Sequence, residues 1–198
     1  MSRIAIVGDN SLSYIDILLD IWNQGNSAVL LDWHIPINTL IDLLVEALVE
    51  ICYIDENIFA KINDCNNIKF ISIKSDIRTA RALPIEIYEK FRNNYSQDEA
   101  LVIYSSGTTG KSKGIILSHY AINANADSII DYMQLNASDS IYIAKPLFHS
   151  STITGELMVA LKAKIPLIIA PTLVPPRYVF KNIDKYNITT ICLNPTLL

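Results

Sequence analysis

Cysteine, histidine and clustered positive charge are all scarce in this sequence of 198 residues. The three cysteines, Cys52, Cys65 and Cys192, form no CxxC pair and have no histidine at metal-ligand spacing, which argues against a zinc site. We expect them to be small buried side chains in a reducing compartment, and we therefore predict a cytoplasmic protein. The net charge of −4 and the lack of a basic run argue against nucleic acid or an anionic membrane surface as a partner.

Long apolar runs are also missing. The apolar stretch in MSRIAIVGDN is too short for a signal peptide, and IPLIIAPTLVPP is interrupted by prolines and too short to span a bilayer. Hydrophobic residues nevertheless make up 51% of the chain and charged residues only 18%. We therefore expect a folded protein with a substantial core and without a membrane span.

Short apolar runs alternate with helical periodicity along most of the chain. The strands are predicted in RIAIVG, SAVLLDW, ICYI, IKFISI, ALVIYSS, GIILSH, SIYIAK, IPLIIA and ITTICL. This alternation predicts the α/β class, with helices flanking a layered, largely parallel sheet. We divide residues 1–198 into a first α/β segment at 1–74, a connector at 75–98 and a further segment at 99–198.

Capping residues mark the starts of several predicted helices. Ser11 is expected to cap the first helix, and Ser118 a helix that runs to about Leu135, with His119 in a structural role in its first turn. Further helices are predicted from Ile153 and over Pro176–Tyr186. Asn38 is expected to cap the second helix, whose buried face would consist of Ile41, Leu44, Val45 and Leu48.

The stretch YSSGTTGKSKG, Tyr104–Gly114, holds three of the six glycines, five Ser or Thr and two Lys. It follows a buried strand, and α/β sheets bind ligands at the carboxyl ends of their strands. Its glycines let backbone N–H groups surround phosphate oxygens, and its hydroxyls can donate to phosphates or ligate Mg²⁺. With the positive charges of Lys111 and Lys113, the loop predicts a site for a triphosphate.

Two phosphate-binding patterns come close to this loop. The Walker pattern GxxxxGK[ST] matches from Ser105 to Ser112, except that Ser105 stands where the first glycine is required. A Walker lysine also opens a helix directly, whereas a strand-like run follows Gly114 here. A P-loop kinase or NTPase, with Lys111 as the important lysine, is the less favoured alternative.

The second pattern fits better. The stretch YSSGTTGKSKGIILSH resembles the phosphate-binding loop of the adenylate-forming superfamily, which includes acyl- and aryl-CoA ligases, luciferases and peptide-synthetase adenylation domains. It departs from that loop only at Ser112, where proline is common. IAKPLFHSSTITGELMVALKAKIPLII and ITTICLNPTLL resemble later blocks of the same family. The resemblance covers nearly all of the chain, but only the first part of the family's large N-terminal domain.

This resemblance implies that ATP activates a carboxylic acid as an acyl-adenylate, after which a thiol of CoA or phosphopantetheine accepts the acyl group. The leaving pyrophosphate must be held while its charge grows. Lys113 takes the place of the family's lysine, and Thr109 is a candidate Mg²⁺ ligand. The residues implied to contact the β- and γ-phosphates of ATP are Ser105, Ser106, Gly107, Thr108, Thr109, Gly110 and Lys113.

Phe148 and His149 bear on the identity of the acid. Amino-acid-activating members of the family place an Asp after the aromatic residue here, because a buried α-ammonium needs a counter-charge. His149 at this position favours a fatty or aryl acid. The resemblance places Phe148, His149 and Gly155 in the substrate pocket. The alternatives are a His149 that packs in a loop and a Gly155 that only eases the entry into a helix.

Several parts of the family's machinery have no counterpart in these 198 residues. They are the adenine-pocket block, the ribose-binding Asp and the C-terminal lid domain with its catalytic lysine. We therefore expect an incomplete ligase that is inactive alone, with a non-catalytic, truncated binding module as the alternative. The implied partners are a small-molecule acid, CoA and an acyl carrier protein, and the uncovered last strand predicts self-association.

Overall fold

The computed structural model describes residues 1–62, 67–74, 79–105, 112–172 and 174–193. Its first part contains β1 (Arg3–Val7), α1 (Leu12–Asn23), β2 (Ser27–Leu31), α2 (Ile37–Glu46), β3 (Val49–Asp55), α3 (Glu56–Phe59) and β4 (Lys69–Ile73). The next elements are β5 (Arg81–Ala82), α4 (Ile85–Lys90), β6 (Glu99–Ser105), β7 (Lys113–Ser118), α5 (His119–Met133) and β8 (Ile141–Ile143). The last are α6 (Ser150–Thr152), a π-helical segment (Ile153–Leu157), α7 (Met158–Ala163), β9 (Leu167–Ile169), α8 (Pro176–Tyr186) and β10 (Thr190–Ile191).

The strands form two sheets. The larger has the order β4-β3-β1-β2-β6-β7 and is parallel except for the β6–β7 hairpin. The smaller has the order β10-β8-β9-β5 and is parallel except for the β5–β9 pair. The predicted α/β class with a largely parallel arrangement is therefore confirmed, and the division into two sheets is new information.

One apolar cluster joins the two sheets. It contains Ile6 and Leu30 from the larger sheet, Ile143 and Ile169 from the smaller, and side chains of α1, α5 and α7. A second cluster packs α2 against the larger sheet, and a third packs α8 against the smaller. Helix α1 packs against β1, β2 and α4. Six of its residues are therefore buried: Tyr14, Ile15, Leu18, Leu19, Ile21 and Trp22.

The predicted caps of α1 and α5 are present. The Ser11 hydroxyl accepts a hydrogen bond from the Tyr14 amide at 3.0 Å, and the Ser118 hydroxyl accepts one from Ala121 at 3.2 Å. His119 is buried, and its ring meets Trp22 edge-on at 5.8 Å between centroids. Burial lowers the pKa of His119, while Asp98 opposes that change. The structure thus gives His119 a packing role.

For α2, the predicted cap is wrong and the predicted buried face is right only in part, since Leu44 is buried and Ile41 is half-buried. The helix begins at Ile37 after Pro36, whose φ of −55° suits a helix start, so Asn38 lies inside the first turn and caps nothing. The buried face consists of Leu40, Leu43, Leu44 and Ala47, whereas Val45 is 57% exposed and Leu48 is 75% exposed. The buried residues have the same helical spacing as the predicted ones, shifted by one position. They are the residues that pack against the larger sheet.

The stretch at 75–98 contains β5 and α4 in its described part. Leu83 and Ile87 lie in the cluster between the sheets, and the Leu83 amide donates to the Leu167 carbonyl at 2.8 Å. This stretch therefore supplies an edge strand and a helix to the packed structure. Among the described residues, none of the helices combines the length and hydrophobicity needed to cross a membrane.

Candidate functional site

The two ends of the glycine-rich loop lie side by side in the structure. Ser105 ends β6 and Lys113 begins β7, and these residues are paired across the hairpin. The loop residues Ser106, Gly107, Thr108, Thr109, Gly110 and Lys111 lie outside the described residues, so their phosphate and Mg²⁺ roles stay predictions. The strand that follows Lys113 agrees with the second loop pattern, since a Walker loop would open a helix there.

A cleft of about 480 Å³ lies at the base of this loop. Ser105 and Ser112 line one side, and Phe148, His149 and Ser150 line another. The structure therefore brings Phe148 and His149 next to the loop ends, although more than 30 residues of sequence separate them. A cavity of this size lies in the range of small-molecule sites. Lys113 is exposed and is not among the residues that line the cleft.

His149 sits at the start of α6, where its backbone amide donates to the Pro146 carbonyl at 3.2 Å. Its ring is tilted against Phe148, with 4.5 Å between the ring centroids. Burial lowers the pKa of His149 below 6.5; Lys145 lowers it further, and Asp32 opposes both effects. A neutral imidazole at pH 7 can donate or accept a hydrogen bond in the cleft without adding charge.

Tyr104, which precedes Ser105 at the end of β6, forms part of the cleft wall. A Cβ at Gly114 would lie 3.4 Å from the Tyr104 ring. The ring can therefore pack closely over the backbone of β7 at Gly114, because glycine has no side chain. Its hydroxyl lies 3.4 Å from the Leu43 carbonyl, and burial raises the pKa of Tyr104. Tyr104 thus packs against the start of β7, the strand that follows the loop.

Asp32 also lines the cleft, and the sequence reasoning missed it. It directly follows β2, and its carboxylate accepts hydrogen bonds from the His34 amide at 2.9 Å and the His34 ring at 2.7 Å. Trp33 stacks on the same ring with 3.7 Å between centroids. Its place in the cleft could have been predicted from the sequence, because Asp32 is an acidic residue at the carboxyl end of a predicted strand, where α/β sheets bind ligands.

Asn10 holds the loop that carries Phe148 and His149, and the sequence reasoning missed it as well. Its side-chain amide donates to the carbonyls of Lys145 and Ala170, each at 3.0 Å, and accepts from the Leu147 amide at 2.8 Å. The residue is 1% exposed. Asn10 therefore joins the end of β1 in the larger sheet to loops that follow β8 and β9 in the smaller one.

Gly155 does not face this cleft. It lines a second cavity, of about 620 Å³, together with side chains of α5 and β10. A Cβ at Gly155 would lie 3.7 Å from Ile129 Cδ1, which is an ordinary contact. The segment from α6 onward contributes Ser150 to the cleft and Ser151 to the second cavity. The structure therefore assigns the three predicted substrate-pocket residues to two neighbouring cavities.

Glu156 and Lys145 form an ion pair beside this second cavity, with 3.2 Å between Nζ and Oε2. Burial raises the pKa of Glu156 to about 7, against opposing effects of Lys145 and the Cys192 backbone. The pKa of Lys145 is raised as well: burial would lower it, but Glu156 and Cys192 outweigh that effect. Neither residue was singled out from the sequence.

Comparison with protein-family models gives a match over residues 1–198 to the family described as AMP-binding enzyme. An indoleacetate–CoA ligase of Aromatoleum aromaticum is 36% identical over 102 residues, which are 52% of this chain and 20% of that protein. A malonate–CoA ligase of Arabidopsis thaliana is 25% identical over 177 residues, covering 82% of this chain and 28% of that protein. The chain thus spans less than a third of these relatives.

Solved structures with the same fold include the inhibitor-bound N-terminal domain of FACL13 from Mycobacterium tuberculosis. The TM-score is 0.81 at 16% sequence identity, and the match covers 99% of this chain and 50% of that one. This likeness extends over both sheets and the helices between them. It therefore concerns the fold as a whole, including the elements that frame the cleft.

Proposed function

Because the chain belongs to the AMP-binding enzyme family, we propose that it is part of an enzyme that activates a carboxylic acid with ATP. The product would be an acyl-adenylate, whose acyl group then passes to a thiol such as that of CoA or of an acyl carrier protein. One observation carries the proposal: Ser105 and Ser112, which flank the glycine-rich loop, share a cleft with Phe148 and His149. The phosphates and the acid would then meet in one place.

The side chains around the cleft suit this reaction. The loop Ser106–Lys111 would surround the β- and γ-phosphates with N–H and hydroxyl donors, while Lys113 adds charge from the start of β7. Thr109 would offer a hydroxyl to the Mg²⁺ that accompanies ATP. Neutral His149 can hydrogen-bond the acid or the adenylate without repelling either, and Phe148 provides an apolar surface beside it.

We propose a fatty or aryl acid as the substrate, in preference to an amino acid. The position after Phe148 carries neutral His149 and no carboxylate to pair with an α-ammonium. The carboxylate of Asp32 in the same cleft is already engaged by His34. The similarity to a protein named indoleacetate–CoA ligase supports an acid with an apolar ring. Cys52 is buried as expected, whereas Cys192 is exposed, contrary to the expectation from the sequence. Both thiols are free, which is compatible with a cytoplasmic location.

Substitution of the two loop lysines tests the proposed nucleotide chemistry. Lys113→Ala should weaken binding of radiolabelled ATP to this chain by about tenfold, because it removes a charged phosphate contact. Lys111→Ala, the matched control two residues away, should change it little. The reverse order of effects would refute the ligase assignment and favour a P-loop NTPase.

A second experiment separates an incomplete ligase from a non-catalytic module. ATP–pyrophosphate exchange is measured with a panel of fatty and aryl acids, first with the 198 residues and then with the chain joined to the C-terminal portion of a related ligase. We propose that the chain alone gives no exchange, because adenine, ribose and lid contacts lie elsewhere in the family. Exchange that appears only in the joined protein supports the ligase. Its continued absence there supports the non-catalytic module.

A further inference from the structure

Helix α2 has an apolar stripe outside the face that packs on the larger sheet. Ile41, Val45 and Leu48 follow one another at spacings of four and three, so they lie along one side of the helix and its last turn. Val45 and Leu48 are largely exposed, and none of the three residues belongs to the apolar clusters of the described structure. A partner that covered this stripe would gain free energy from its burial.

The backbone at the end of the stripe is strained. Leu48 has a φ of 57°, in the left-handed region where a residue with a Cβ is unfavourable. Glycine is the usual residue at this position after a helix. Leu48 therefore keeps a large apolar side chain in solvent at a cost to the backbone. A local conflict of this kind is expected where a residue serves binding in preference to folding.

A row of negative charge runs beside the stripe. Asp42 and Glu46 are exposed and four residues apart, so their carboxylates repel each other on the helix surface. Glu46 also lies in the last turn, where the helix dipole disfavours an anion. The helix contains no lysine or arginine, and neither carboxylate forms an ion pair with another described residue. Both charges are therefore available to a partner.

These charges decide which partner fits the stripe. A second copy of this chain would bring the same carboxylates face to face, and an anionic membrane would repel them. A cationic amphipathic helix has neither disadvantage. It would bury its apolar side on the stripe and place its lysines or arginines beside Asp42 and Glu46.

We propose that the α2 face, consisting of Ile41, Asp42, Val45, Glu46 and Leu48, is a docking surface for a cationic amphipathic helix of a partner protein. This interaction does not depend on the proposed ligase function. Helix α2 also lines the cleft through Leu43. The partner would therefore dock next to the candidate site without occupying it.

Two labelled, helix-forming peptides test the α2 face. LKKLLKLLKKLLKL and LEELLELLEELLEL have the same apolar pattern and differ in the sign of their charged residues. In fluorescence anisotropy with the 198-residue chain, the lysine peptide should bind at least about tenfold more tightly. Leu48→Gly should weaken that binding by at least about fivefold, because it removes the most exposed side chain of the stripe.

Leu48→Gly also separates binding from folding. Because glycine relieves the strain at φ 57°, this variant should unfold at a higher urea concentration than the unaltered chain. Weaker peptide binding by a more stable protein then has no explanation in unfolding. If Leu48→Gly is more stable and binds the lysine peptide as tightly as the unaltered chain, the apolar stripe is not part of a docking surface and the proposal is overturned.

The charges are tested with Asp42→Lys/Glu46→Lys, which should reverse the preference between the two peptides. Matched controls lie on the exposed side of α4: Ile85→Ser for the apolar stripe and Glu86→Lys/Glu89→Lys for the charge change. Both controls should bind as the unaltered chain does. Equal binding of the two peptides, or an equal loss in the α4 variants, would overturn the proposal. A dimer in sedimentation that Leu48→Gly dissociates would assign the face to a second copy and would overturn it too.

Discussion

Replacement of Asn10 by Asp should destabilise the protein more than replacement by Ala. Asn10 is 1% exposed, and its Nδ2 donates to two carbonyls, those of Lys145 and Ala170, at 3.0 Å each. Asn10→Ala removes these two bonds and the one accepted from Leu147 at 2.8 Å. At about 1 kcal/mol or more for each buried group left without a partner, the loss amounts to about 3 kcal/mol.

Asn10→Asp keeps the shape but turns two attractive contacts into contacts between oxygen atoms. A buried carboxylate facing two carbonyls should cost at least as much as the deletion, and about 4 kcal/mol or more at pH 8. Protonation lets the new side chain donate once, so its pKa in the folded state should lie above that in the unfolded state. The stability of this variant relative to the original protein is therefore retained at low pH and lost as the pH rises.

The assay is urea unfolding followed by circular dichroism at pH 5 and pH 8, with the free energy of unfolding compared with that of the unaltered chain at each pH. Asn38→Asp, at an exposed position of α2, is the matched control and should change stability by less than about 0.5 kcal/mol. If both Asn10 variants unfold within about 0.5 kcal/mol of the original protein, the three buried hydrogen bonds do not stabilise it as proposed. A cost of Asn10→Asp that does not change with pH would refute the electrostatic part alone.

Three further predictions concern ion pairs and sheet edges. The Glu156 pKa of about 7 lies above its usual 4.5, so the stability that protonated Glu156 contributes is present at low pH and is lost as the pH rises through 7, an effect of up to about 3 kcal/mol. Lys145→Met should lower the free energy of unfolding by about 3–5 kcal/mol at pH 8, because it leaves the Glu156 carboxylate buried without its partner. Lys145→Met/Glu156→Leu, which removes both charges, should be nearly neutral in urea unfolding. Glu99→Gln should cost about 1.5–3 kcal/mol at pH 7, because a neutral amide with one acceptor oxygen replaces the carboxylate that makes two 2.7 Å contacts with Arg3. Those contacts lower the pKa of Glu99, so the cost should shrink as the pH falls through that lowered value. Light scattering should show association at high concentration that Ile116→Lys reduces, since Ile116 is 55% exposed on the edge strand β7; a monomer at all concentrations would contradict this.

The sequence predicted features of the fold that depend on neighbouring residues. Ser11 and Ser118 cap their helices because a cap needs only amides two or three positions along the chain. The buried face of α2 was predicted one residue out of place, because two sets of apolar residues have the same spacing along the helix. Only packing against the larger sheet decides which set is buried. The two sheets could not be predicted for the same reason, since which strands pair depends on contacts far apart in sequence.

The candidate site was predictable to the extent that family resemblance supplied it. Phe148 and His149 carry no local signal for a position beside the ends of a loop more than 30 residues away, and the resemblance alone suggested their role. Asn10 was missed because an Asn after a strand and before a capping Ser looks like an ordinary turn. Glu156 was missed because one acidic residue in a short amphipathic helix is usually exposed.

Lys145 connects these missed residues physically. Its carbonyl is held by Asn10 and its ammonium by Glu156, Ser151 and Cys192, so both its main chain and its side chain are fixed. The residues that follow, including Phe148 and His149, begin from this anchored point and lead directly into the segment that lines the second cavity. The positions of the cleft side chains therefore depend on β1, β8 and β10 together.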